Sequence, residues 1–260
     1  MASLSAYLSR SLLVVATLSV VVLAQKPDVI KPDVIKPDVT KPDIKPGKAN
    51  VTQALGGKQQ RPASEAALFR AFAKIKGLSA EYTEEKFLSL LAVPLKSKGQ
   101  LHFMQPGYLS RIVLAPEKSK LTITDAELRM KGKDKEEVID LRQSDRVRLF
   151  VTSLIQVFQG NQKALKKHYR IRYTPKAADA HAWQLELKPL NKPLTQILKR
   201  LVLFGRDKTV TRIELHEPNG DRTITKIVKV DPKRVFTGAE KKDLFGVVDK
   251  PKKAKVDAGK

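Results

Sequence analysis

The chain has 260 residues, 42% hydrophobic and 30% charged, enough to bury a sizeable core and unlike the composition of a disordered protein. Its 50 Lys and Arg against 27 Asp and Glu give a net charge of +23, a field that favours anionic partners such as acidic lipid headgroups, lipopolysaccharide or nucleic acid. Cysteine is absent, which excludes disulfides, thiolate metal sites, cysteine nucleophiles and a lipid anchor carried on a cysteine.

Residues 1–24 read as an export signal. Arg10 closes the basic start, Leu12 to Leu23 form an apolar run, and Ala24 is a small residue suited to cleavage before Gln25. The run falls short of the roughly 20 apolar residues that span a bilayer, so stable membrane insertion is not expected. Export also makes nucleic acid a poor partner. Residues 25–61 form a linker whose unit Lys26-Pro27-Asp28-Val29-Ile30 recurs from Lys31 and Lys36 and, shortened, from Lys41 and Lys45. A proline every four or five residues removes backbone donors and keeps the preceding residue extended. The segment is a stiff, solvated spacer of about 3.1 Å per residue.

Residues 62–238 are expected to form one domain. They hold 34 basic and 19 acidic residues, so the positive charge belongs to the domain itself. Ser64 to Lys76 is predicted helical, with Ser64 as N-cap, Leu68, Phe72 and Ile75 on one face, and Gly77 as the stop. Ser79–Glu84 and Phe87–Leu91 suit extended chain, with a helix over Glu84–Leu91 as the alternative. Gly99–Met104 alternates up to a turn at Gln105-Pro106-Gly107, and Tyr108–Ala115 returns as the next strand. Lys120–Thr124 and Glu127–Met130 are two short strands.

Ser144–Phe158 goes back to helical spacing, with Val147, Val151, Leu154 and Phe158 on one face and Gly160 ending the run. Tyr169–Thr174, Ala182–Lys188 and Thr195–Phe204 are further strands, the last with a partly helical alternative. Thr209–His216 and Thr223–Val230 form a hairpin around Asn219-Gly220. Residues 239–260 read as a basic disordered tail.

These elements predict an α+β fold: an open antiparallel half-barrel sheet with helices covering its concave face. Apolar space between the layers is the candidate site. Alternation nominates Leu101, Phe103, Ile112, Leu114, Leu121, Ile123, Trp183, Leu185, Leu187, Ile213 and Leu215 as its sheet lining, faced by Phe72, Val151, Leu154 and Phe158 from the helices. Plain core packing is the competing reading for each of them.

At Gly99-Gln-Leu-His-Phe-Met-Gln-Pro-Gly-Tyr-Leu-Ser-Arg111 the chain resembles the outer-membrane lipoprotein carrier (LolA-like) family. The likeness continues in order through Leu78–Glu84, Leu121–Leu128, Phe204–Asp207 and Glu217–Thr223, and covers about Ser64 to Asp231. It implies a half-barrel with a helical lid and a cavity for acyl chains. The protein would be a released periplasmic carrier, loaded with a lipid or lipoprotein by an inner-membrane exporter and emptied towards an outer-membrane receptor. The sequence departs from the family at Gln105, where an arginine before the strand-ending proline latches the lid, which marks a divergent branch. The alternative is a binding or sensor module for envelope proteins on the same fold.

Catalytic patterns are sparse. His102, His168, His181 and His216 lack metal-ligand spacing, and serine-nucleophile and phosphate-loop motifs are missing. His102 and His216 are expected on strands facing solvent, and the pairs Glu84-Glu85 and Glu136-Glu137 read as surface charge. No enzyme, cofactor or metal site is therefore expected. Lys163, Lys166, Lys167, Arg170 and Arg172 form a basic patch suited to anionic headgroups or an acidic partner. Lys199, Arg200 and Arg206 form a weaker one.

Overall fold

A computed structural model describes residues 61–247. The export signal, nearly all of the Lys-Pro-Asp linker and the end of the basic tail lie outside the described residues. Helix α1 (Glu65–Ala73) is capped as its sequence requires, with the extended Ser64 accepting a hydrogen bond from Ala67 N–H at 3.2 Å. Six strands follow as a meander: β1 (Gly77–Phe87), β2 (Leu95–Met104), β3 (Tyr108–Ala115), β4 (Ser119–Ile123), β5 (Glu127–Lys131) and β6 (Glu136–Asp140). A 3₁₀ turn at Leu141–Gln143 leads into α2 (Asp145–Phe158) and the short α3 (Gln162–Lys166). A second meander runs through β7 (Tyr169–Pro175), β8 (Ala182–Pro189), β9 (Arg200–Arg206), β10 (Thr209–His216) and β11 (Arg222–Asp231), and α4 (Gly238–Phe245) follows.

The eleven strands make one sheet in the order β6-β5-β4-β3-β2-β1-β11-β10-β9-β8-β7. Every pairing is antiparallel, and only β1 with β11 joins strands distant in sequence. The edges β6 and β7 do not meet, so the half-barrel is open. That order dictates where the lid must go. The chain leaves β6 at one edge and re-enters as β7 at the other, so α2, about 21 Å long at 1.5 Å per residue, crosses between them.

Helix α2 ties two core clusters together. Phe150 and Val157 join Leu68, Phe69 and Phe72 of α1 over Trp183, Leu185, Leu187, Leu201 and Leu203. Val147 and Val151 pack with Leu109, Leu121, Ile123, Leu128 and Met130. Gly160 sets the approach of the two helices: its φ is +69°, and a Cβ there would stand 2.2 Å from the Phe69 carbonyl oxygen. Gly205 similarly leaves room for the Trp183 ring, which would lie 1.9 Å from an added Cβ.

The structure corrects several boundaries. The two extended pieces of Ser79–Leu91 are one strand that ends at Phe87, and no helix replaces it. Thr195–Phe204 splits into a 3₁₀ turn at Leu194–Gln196 and strand β9, and β6 and α3 are additional. The tail expected from residue 239 starts as an ordered helix. Thr237 and Glu240 form a reciprocal capping box, and Gly246 ends the helix in the left-handed conformation. Its Phe245 is buried beside Phe236 and Tyr108, because α4 packs on the convex face of β3 and β4.

Candidate functional site

The strand registers define the inner row of the sheet. Leu78 faces Phe103, Ala80 faces Leu101, and Leu101 lies beside Arg111. On the other meander, Ile213 pairs with Leu203, which pairs with Leu185. Where α1 and the end of α2 stand over this row, a cleft encloses about 590 Å³ of empty space, open solvent at its mouth included. The walls are Phe72, Ile75, Leu78, Ala80, Leu101, Val157, Phe158, Leu203, Val210, Ile213, Ile227, Val230 and Pro232, with Lys208 and Thr209 at the turn between β9 and β10.

Four of the residues nominated from sequence, Phe72, Leu101, Phe158 and Ile213, line this cleft. Phe103, Leu121, Ile123, Val151, Trp183, Leu185, Leu187 and Leu215 are buried in packed side chains, and Leu154 packs half-buried against the first core cluster. Phe103 stacks on Phe158 with ring centres 5.4 Å apart, and Phe72 meets Trp183 at 6.2 Å. Ile112 and Leu114 belong to the opposite face. The inner positions of β3 are Leu109, Arg111 and Val113, and alternation misleads there because the inward Arg111 breaks the apolar row. Leu78, Ala80, Ile227 and Val230 were missed, although their spacing along the first and last strands carries the same signal, interrupted by a bulge at Glu81/Tyr82.

A polar band lies beyond the cleft on the same inner face. Arg111 donates to Glu84 Oε1 at 2.8 Å, Thr225 Oγ1 donates to Glu84 Oε2 at 2.8 Å, and the guanidinium lies 4.8 Å from the Tyr82 ring centre. Glu84, Arg111 and Tyr82 are all buried. Burial pushes the Tyr82 hydroxyl pKa up to about 12 despite the nearby Arg111 charge. The reading of Glu84-Glu85 as surface charge is corrected here: neighbours on a strand face opposite ways, so Glu85 points out and Glu84 in.

Gln105 sits where the lid meets the sheet. Its Nε2 donates to the Ala73 carbonyl at the end of α1 at 3.2 Å, and Lys76 Nζ donates to its Oε1 at 3.0 Å. Gln159, just after α2, donates to the Pro106 carbonyl. The lid is fastened through neutral amides.

His102 and His216 are on the convex face but half-buried, His102 under the Phe236 ring and His216 beside Glu214. Burial lowers both their pKa values. Among the described residues, no group of three or more His, Asp and Glu side chains is placed to hold a metal ion. No described helix is long and apolar enough to cross a membrane. Lys163, Lys166, Lys167, Arg170 and Arg172 are exposed along α3 and the edge strand β7, with Lys166 Nζ 3.2 Å from Glu65.

Residues 61–233 match the family described as outer membrane lipoprotein carrier protein LolA-like. No curated protein matches the chain. Among solved structures it is similar to a LolA superfamily protein of Nitrosomonas europaea, at 10% identity and a TM-score of 0.37, over 67% of this chain and 95% of that one. A DUF1329 family protein of Desulfovibrio piger aligns at 11% identity and a TM-score of 0.41, over 67% and 93%. A chain of the Pseudomonas aeruginosa MucA/MucB complex aligns at 12% identity and a TM-score of 0.39, over 68% and 62%.

Proposed function

We propose that this chain, which belongs to the outer-membrane lipoprotein carrier (LolA-like) family, is a periplasmic carrier that holds the acyl chains of a lipid or lipoprotein in the cleft between its lid and its sheet. The observation that carries this reading is the cleft wall, apolar throughout except for Lys208 and Thr209. An acyl chain in such a space leaves water at about 0.8 kcal/mol per methylene, while its polar head stays at the rim. Lys208 at the mouth suits a phosphate or carboxylate there. The chemistry is binding and release, with no bond made or broken. Loading by an inner-membrane exporter and delivery to an outer-membrane receptor complete the proposed cycle.

A fluorescent fatty-acyl probe tests it. The full chain takes up the probe into an apolar environment, and Ile227→Asp, which sets a charge in the wall, abolishes uptake while the fold persists. Failure of the wild-type chain to take up the probe contradicts the reading and leaves the protein-binding module ahead.

A further inference from the structure

Connecting loops are ordinarily polar, and a run of exposed apolar residues in one calls for a functional reason. The connection between β1 and β2 reads Leu88-Ser89-Leu90-Leu91-Ala92-Val93-Pro94, without a charge. Leu90 is 94% exposed, Val93 70% and Leu91 46%. The topology adds two neighbours at the same end of the strands: Leu114, 44% exposed near the end of β3, and Leu190, 42% exposed after β8. Five of the eight exposed large hydrophobics among the described residues thus gather at one end of the sheet.

The loop is held out from the body. Leu91 N–H donates to the Leu88 carbonyl at 3.0 Å, closing a turn, and Ser89 N–H donates to Asp221 Oδ1 at 2.8 Å, which ties the base to the β10–β11 turn. The Arg222 guanidinium stacks 4.3 Å from the Phe87 ring centre at the strand end. Exposed cations stand at the same end: Lys96, Lys98, Lys118, Lys192, Lys199 and Arg222. Of the acids there, Glu85 lies 4.0 Å from Lys96, Glu217 3.9 Å from Lys86 and Asp221 holds the loop, while Glu117 is exposed beside Lys118, so cations outnumber acids at this end.

We infer that this end of the half-barrel docks on an anionic lipid bilayer, with Leu90, Leu91 and Val93 entering the headgroup boundary and the surrounding lysines meeting acidic headgroups. Apolar side chains on a cationic rim are the combination that interfacial binding uses. The loop lies at the strand ends opposite the Lys208–Thr209 turn, so docking leaves the cleft mouth free for a transfer partner. The inference stands apart from the acyl-binding reading.

Because the chain has no cysteine, one environment-sensitive fluorophore on Leu90→Cys reports this loop alone. Vesicles of equimolar phosphatidylcholine and phosphatidylglycerol are expected to shift its emission to the blue, with little change on pure phosphatidylcholine. The same label on Asp125→Cys, in the exposed β4–β5 turn at the other end and outside the cleft, should stay unchanged. Leu91→Ser with Val93→Ser should weaken the loop's vesicle response at least tenfold and leave fatty-acyl probe uptake intact. An unshifted loop label, or one that responds equally to both vesicles, overturns the inference in favour of a protein partner. Loss of probe uptake by the wild-type chain sinks the carrier reading instead, whatever the vesicles show.

Discussion

The Arg111–Glu84 pair shows how much one inward side chain can decide. Taking two charges into the half-barrel gives up hydration, and the pair is tolerated because Thr225 and the Tyr82 ring help satisfy it. Removing one partner strands the other. Glu84→Ala should therefore cost about 3–5 kcal/mol in urea unfolding, whereas Glu84→Ala with Arg111→Met should recover most of that loss. Equal destabilisation in the single and double variants would show that packing around the pair, and not the stranded charge, sets the cost. The same arginine explains where sequence reasoning slipped. Apolar alternation along β3 selects Ile112 and Leu114, yet the buried row is Leu109, Arg111 and Val113. A charge at an inward position cannot be told from an outward one until its partner, 27 residues earlier in sequence, is known.

At the scale of elements, both long helices and ten of the eleven strands were legible, because each carries its own period and its own cap or turn. Ser64, Gly160 and Asn219-Gly220 mark ends by local chemistry alone. Strand β6 was not legible: Glu136-Glu137-Val138-Ile139-Asp140 does not alternate, and its order comes from pairing with β5. The β9 region gave a strand with the wrong start, since Leu194–Gln196 folds as a 3₁₀ turn before it. Helix α4 was hidden by its lysines, and only the convex face explains its burial.

That helix lies beyond the family match, which ends at residue 233. Phe245→Ala should destabilise the chain by about 3–5 kcal/mol in thermal or urea unfolding. Fatty-acyl probe uptake should survive, because α4 and the cleft are on opposite faces; loss of uptake would contradict that separation. His102 adds a pH dependence to the same contact. Burial, with the Arg234 and Lys120 charges adding to it and Glu240 opposing, holds its pKa below the ordinary 6.5. The unfolded chain therefore takes up that proton first, so stability present above pH 6.5 is lost as the pH falls below it. His102→Gln should flatten the fall between about pH 7 and 5; an unchanged acid limb would assign it to other groups. At the lid, Gln105→Ala removes the amide bridge to α1 and should speed release of a bound acyl probe about fivefold, the equivalent of ~1 kcal/mol. Unchanged release kinetics would mean that Gln105 does not restrain the lid.

For the whole molecule, the architecture follows from one topological fact. Two meanders joined through β1 and β11 leave their free edges at opposite sides, and the crossing helix makes a lid that the sheet closes only partly. The 34 basic against 19 acidic residues of 62–238 mostly clothe the outside of a sheet whose inner face is largely apolar. Salt should accordingly weaken attraction to anionic surfaces and leave acyl binding in the cleft nearly untouched. The most direct test of the carrier account is native mass spectrometry, with solvent extraction, of the chain purified from a periplasm. The account predicts a co-purifying acyl lipid that Ile227→Asp eliminates. A clean protein mass that takes up no added phospholipid or acyl peptide would contradict it.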